Sequence, residues 1–282
     1  MPVSVREKSA KHLKYITPNT RMTMMKKMMT MLAIVLMSMT AMAQSDDFGT
    51  MLSIEATKKI DKKLSVGAEV EMRTRDNVKT VDRWSATAGA SYKLLSWLKV
   101  AARYTFLYDN NERISYFDSE DGKVQRGLVN IGDPKKCAQY WGTRHRFDIS
   151  LTGSHKIGRV ELSLRERWQY TYRPEYTVDE RWSYYEQGWD GEEHVYSGKG
   201  KNVLRSRLMA EYKTKGFPIT PYVSAEAFNA WKLEKMRFYV GADYKINKQN
   251  ELGLFYGYQT VHDDSDLEPN RHFVGLAYKV KF

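Results

Sequence analysis

Eleven segments of this chain alternate apolar and polar residues with a period of two, the spacing that sends neighbouring side chains to opposite faces of a strand. The clearest is the last, Arg271 to Phe282. There Val274, Leu276, Tyr278, Val280 and Phe282 oppose Phe273, Gly275, Ala277, Lys279 and Lys281. Leu64 to Arg75 sets Leu64, Val66, Ala68, Val70 and Met72 against Ser65, Gly67, Glu69, Glu71 and Arg73. The same period predicts strands at Arg83–Lys93, Leu98–Tyr108, Trp141–Gly153, Val160–Tyr172, Asn202–Tyr212, Lys235–Ile246 and Glu251–Val261. Two segments are weaker. Asp47–Lys58 alternates poorly, and Phe217–Trp231 opens with Pro218 and Pro221, which suits a strand entrance. Glu166 interrupts the otherwise apolar face of Val160–Tyr172.

Polar connections separate these segments, some short and some long. Residues 109–139 and 173–200 are long, rich in Gly, Asp and Asn, and without a sustained period. The strands run to about 10–13 residues, the length of a tilted membrane crossing, and most carry charge on one face only. A charge on a lipid face would cost roughly 2–4 kcal/mol near the midplane, so the charged faces point inward. Closure would remove sheet edges that lipid cannot satisfy. The pattern therefore predicts an all-β fold, an antiparallel transmembrane β-barrel of about 10–12 strands with short periplasmic turns and longer extracellular loops. A secreted sandwich is the alternative, but its strands would be shorter.

Single-chain bacterial barrels have even strand numbers, so the count leans to twelve. Either Asp47–Lys58 is not a strand, or one strand is hidden in a long connection. With the C-terminus in the periplasm, turns 58–63, 94–97, 155–158, 213–217 and 247–250 lie there too.

Composition changes the picture in one respect. Net charge is +11, but seven of the 45 Lys and Arg and one of the 34 acids fall in residues 1–43. Those residues read as an extension and a leader. Lys26 and Lys27 precede the apolar run Met28–Thr40, and Ala41-Met42-Ala43 fits a cleavage site, with Met25 the expected start. Cleavage between Ala43 and Gln44 leaves residues 44–282 as the barrel, exported to the outer membrane. With that leader set aside, a nucleic-acid partner is not expected. The single cysteine, Cys137, falls in an expected loop and can form no internal disulfide.

Several motifs carry a family resemblance: Asp47-Phe48-Gly49, the hairpin Lys58 to Arg73, Arg144 to Leu151 (RHRFDISL), Pro221 to Phe228 (PYVSAEAF) and Arg237 to Gln259. In these the mature chain resembles the domain of unknown function 2490 family, DUF2490, of outer-membrane β-barrels in Gram-negative bacteria. The resemblance implies a barrel and supplies no catalytic residue. The terminal Tyr278, Val280 and Phe282 also resemble the last strand of many such barrels. This implies outer-membrane lipid and the barrel-assembly machinery as partners.

The candidate chemistry lies in the inward charges. Arg73, Arg103, Arg144, Arg146, Arg165, Arg167, Arg205, Arg207 and Arg237 form an expected lumen ladder, with Glu69, Glu71, Asp148, Glu161, Glu211, Glu226 and Asp243 as its acidic partners. Two readings follow: a narrow pore favouring a small anionic solute, or a structural barrel whose charges fill the lumen. The second is favoured, because long paired arginines fill a narrow interior.

An enzyme is the less favoured alternative. A lipid hydrolase of the phospholipase or deacylase type would need a serine within reach of an oriented base. His272 with Ser265 nearby is the least implausible pair. His145 falls on the lipid face, His155 in a turn, and His194 and His262 in loops. No GxSxG or HExxH motif is present, and no cofactor is expected. Asp263, Asp264, Asp266 and Glu268 read as a solvated acidic loop rather than a calcium site. A third reading is a surface-binding barrel that takes its ligand through Tyr116, Phe117, Trp182, Tyr184, Tyr185 and Trp189 on the two long connections.

Overall fold

The computed structural model describes residues 46–214, 216–262 and 269–282. The leader, its start at Met25 and the Ala43/Gln44 cleavage lie outside these residues. So do Ser265 and the acidic run 263–268.

Eleven long strands close into a barrel. In chain order they begin with β1 (Asp47–Lys59), β2 (Leu64–Arg75), β3 (Thr80–Lys93), β4 (Leu98–Tyr116), β5 (Pro134–Ile157) and β6 (Val160–Arg173). Four short strands follow: β7 (Tyr176–Val178), β8 (Trp182–Ser183), β9 (Gly188–Trp189) and β10 (His194–Tyr196). The wall resumes with β11 (Lys199–Tyr212), β12 (Ile219–Asn229), β13 (Leu233–Lys245), β14 (Asn250–Val261) and β15 (Arg271–Lys281). One helical turn, α1 (Gly122–Gln125), is capped by the Asp121 side chain.

Eleven lies within the expected 10–12 strands; the lean to twelve fails, and so do both explanations offered for the odd count. β1 is a genuine strand, and among the described residues no further long strand lies in the connections. The barrel closes instead by pairing β1 with β15 in parallel, Asp47 opposite Arg271 and Thr57 opposite Lys281. Every other wall pairing is antiparallel. A parallel seam is the one arrangement that closes an odd number of otherwise alternating strands.

The short turns fold through local side-chain chemistry. Asp61 Oδ1 accepts from the Lys63 and Leu64 amides at 2.6 and 2.7 Å. Asn247 Oδ1 accepts from those of Gln249 and Asn250 at 2.8 Å each. Asx side chains commonly organise turns this way.

Alternation sorts the two surfaces. Leu52, Ile54, Val70, Phe147, Ile149, Leu164, Leu208, Val223, Val240 and Leu276 face outward and are exposed. Aromatics mark both ends of this belt: Tyr92, Trp97, Tyr212 and Tyr244 near the short turns, Trp84, Tyr108 and Tyr172 near the opposite end. An apolar belt between aromatic girdles is the exterior of a membrane-spanning barrel. Among the described residues no helix is long and apolar enough to cross a membrane.

The polar connections are shorter than the sequence suggests. β4 continues to Tyr116 and β5 starts at Pro134, so much of 109–139 is a hairpin projecting past the belt. Outside lipid neither face need be apolar, so the alternation disappears while the pairing continues. Cys137 therefore sits in β5 rather than a loop, and His155 in β5 rather than a turn. Residues 173–200 fold over this hairpin. β8 pairs with β5, β9 with β8, and β10 with β7.

Candidate functional site: the arginine-lined lumen

Strands β2 to β6 and β11 to β13 point their charged faces into the barrel. Three buried carboxylates each serve two arginines. Asp109 meets Arg83 and, at 2.9 Å, Arg144. Asp148 meets Arg103 at 3.1 Å and Arg167 at 3.5 Å. Glu226 meets Arg165 at 2.6 Å and Arg205 at 2.9 Å. Six arginines thus share three acids. The side chains of Asp148 and Glu226 are only 1% and 3% exposed, so their arginine partners shield both carboxylates from water.

Three further arginines have no carboxylate partner among the described residues. Arg146 Nε donates to Thr171 Oγ1 at 3.3 Å, and Arg237 Nε to Gln259 Oε1 at 2.7 Å. Arg207 has a buried Nε without a partner. Arg205 and Arg237 also flank the Phe228 ring, 4.4 and 4.9 Å from its centre. Buried guanidinium charge without matching acid leaves the lumen strongly electropositive.

The sequence ladder and the lumen overlap unevenly. Arg73 pairs with Glu71 at 2.6 Å. Three expected acids meet lysines instead of arginines. Asp243 pairs with Lys279 at 2.7 Å, while Glu211 and Glu161 face Lys213. They stand near the turn end of their strands, where lysines from neighbouring strands and turns reach them first. Glu69 lies on the same inward face with no ion pair among the described residues. Arg83, Asp109, Arg271 and Gln259 are among the lumen residues outside the expected ladder. Arg83 and Gln259 alternate correctly within their strands and could have been found. Asp109 opened what read as a loop.

The opposite wall is aromatic. Tyr239, Phe255 and Phe273 pack edge to face, with centroids 5.6 to 6.4 Å apart. Glycines on adjacent strands make this possible: a Cβ on Gly275 would overlap the Phe255 ring, and one on Gly257 the Phe273 ring.

Outside the lumen, three of the described histidines meet Tyr or Thr hydroxyls. His145 Nδ1 lies 2.8 Å from the Tyr104 hydroxyl, and His262 Nε2 3.1 Å from Thr260 Oγ1. His272 is buried beside Tyr258, with Tyr256 Oη 2.5 Å from its Nδ1 and Asp46 3.3 Å from its Nε2. This cluster fastens the start of β1 at the parallel seam.

The loop aromatics divide: Tyr116, Tyr185 and Trp189 are exposed, while the others are more enclosed. Phe117 is buried, Tyr140 stacks between Tyr176 and Tyr196, and Trp182 meets Trp189 edge to face. Asp190 ties the cap to β5 through Lys136 at 2.7 Å and to the Arg181 amide at 2.8 Å. Burial pushes the Asp190 carboxyl up, but Lys136 and the amides of Arg181 and Glu192 outweigh it and hold it well below the usual carboxylate range. Burial and the nearby Arg181 hold the His194 imidazole below its ordinary value.

The sequence profile of the family described as "Protein of unknown function (DUF2490)" matches residues 48–270. Solved structures of similar fold include the beta domain of the Bordetella autotransporter BrkA, at 8% identity and TM-score 0.49, covering 78% of this chain and 82% of that one. The NanC porin aligns at 11% identity and TM-score 0.39, covering 81% and 94%. The toluene transporter TodX of Pseudomonas putida aligns at 12% identity and TM-score 0.37, covering 77% and 75%. No curated relative matches the sequence.

Proposed function

The chain belongs to the DUF2490 family, and from that premise we propose that it is an outer-membrane barrel with a constricted, arginine-lined lumen, closed at rest and selective for anions when it conducts. The observation that carries this reading is the sharing of three carboxylates among six arginines, with Arg146, Arg207 and Arg237 left without an acid. A narrow cross-section sealed by side chains resists flow. Its surplus positive charge repels cations and stabilises anions. The apolar belt and aromatic girdles support the membrane location, and the DUF2490 membership is consistent with it.

The test is the reversal potential of the refolded residues 44–282 in a planar bilayer under a KCl gradient. Openings whose reversal potential lies toward chloride support the proposal. Openings that favour potassium overturn it.

A further inference from the structure

Gln259 stands on β14 directly between Arg237 on β13 and Arg271 on β15. Its Oε1 accepts from Arg237 Nε at 2.7 Å. That bond fixes the amide, because the flipped form would set two donors against each other. The amide nitrogen therefore points elsewhere. Gln259 is 2% exposed, and this nitrogen has no hydrogen-bond partner among the described residues. A buried donor left unpaired costs about 1–3 kcal/mol and calls for an explanation.

A cavity of about 20 Å³ adjoins it, lined among others by Arg73, Arg237, Gln259, Arg271, Thr74 and Phe273. Such a void holds one water-sized species. Its lining brings together the donors of Arg73, Arg237, Arg271 and Gln259 with the hydroxyls of Thr50 and Thr74. Thr74 Oγ1 is engaged with Thr50. The charges decide the occupant. Arg73 is matched by Glu71, and Arg271 by Asp47 at 2.7 Å. Arg237 has no carboxylate at ion-pair distance among the described residues; Glu226, opposite it on β12, is taken up by Arg165 and Arg205, so Arg237 is the least compensated of the three. A water could accept from two of these donors, but it would turn its own two protons toward the rest and add no charge. A halide brings one negative charge and no proton.

We infer that this cavity is a binding site for a single halide-sized anion, held by Arg237 and the Gln259 amide with Arg73 and Arg271 around it. The inference rests on the electropositive lumen that carries the proposed function and names a fixed station within it. Phosphate and sulfate are too large for the void.

Bromide is the probe. Crystals of the refolded barrel grown with bromide are expected to show an anomalous peak within hydrogen-bond reach of Gln259 Nε2 and Arg237. The peak should vanish in Arg237→Gln. No peak in the wild type, or an undiminished peak in the variant, overturns the site. Urea unfolding gives a second readout at fixed ionic strength. Replacing sodium gluconate by sodium bromide should raise the wild-type midpoint saturably and leave Arg237→Gln flat; a flat wild type overturns the site. Reversal potentials separate the two proposals. A barrel that binds bromide here yet passes cations keeps the site and loses the function, and an anion-selective barrel without the peak does the reverse.

Discussion

Arg103 and Asp148 stand directly opposite each other on β4 and β5, and the guanidinium holds the carboxylate through two hydrogen bonds of 3.1 Å each. Arg167 reaches the same carboxylate from the next strand at 3.5 Å. One buried acid thus links three strands of the wall. Removing one member of a buried ion pair strands the others, at about 3–5 kcal/mol. Asp148→Asn should lower unfolding stability by about that amount in a denaturant titration. Lys281, half-exposed at the turn-end mouth against Glu251, makes the contrast: Lys281→Ala should cost less than about 1 kcal/mol.

Glu166 tests the opposite face. It is the seventh of fourteen residues in β6 and faces outward beside Leu164, Trp168 and Leu151. Ser206 on β11 lies opposite and donates to it at 2.6 Å. One hydroxyl is modest compensation for a carboxyl among lipid-facing leucines, since net hydrogen bonds contribute about 1 kcal/mol. Glu166→Leu should stabilise the barrel in liposomes by about 1 kcal/mol. A loss of stability would show that the carboxyl has a partner in the membrane.

The glycines beneath the lumen aromatics predict a steric result. Gly275→Ala drives a methyl into the Phe255 ring and should destabilise by about 1–3 kcal/mol, the usual cost of overpacking. Phe255→Leu in the same chain should recover part of that loss. Equal stability of the single and double variants would place the ring elsewhere.

Acid should loosen the loop cap before the barrel. Asp190 and His194 both have depressed values in the folded cap. A depressed group contributes stability above its unfolded value and loses it as pH falls toward its folded one. The His194 contribution therefore fades below pH 6.5 and that of Asp190 below pH 3.8. Limited proteolysis of residues 173–200 should accelerate across those ranges while the barrel stays intact. Asp190→Asn should shift the opening toward neutral pH.

Periodicity made the wall readable wherever lipid enforces it. Leu64 to Met72 and Leu98 to Tyr108 alternate because one face must be apolar, and their inward arginines follow from that. The same pressure is absent beyond the belt, so the continuation of β4 through Tyr116 and the start of β5 at Pro134 leave no such trace. Strand number depends on how the ends meet. The parallel seam between Asp47 and Arg271 is a long-range pairing that no local pattern encodes. Which acid meets which arginine depends on register. Arg103 and Asp148 are 45 residues apart, and Glu226 reaches Arg165 across 61. The pairing of Asp243 with Lys279 was hidden for the same reason.

The central claim is that arginine side chains close the lumen. The most direct measurement is single-channel conductance of refolded residues 44–282 beside the variant in which Arg144, Arg146, Arg205 and Arg207 are all alanine. Folding of both is checked by heat-modifiable mobility. The account predicts a wild type of low conductance and a variant with larger, more frequent openings. Equal conductance in the two, at either a high or a low level, would contradict it.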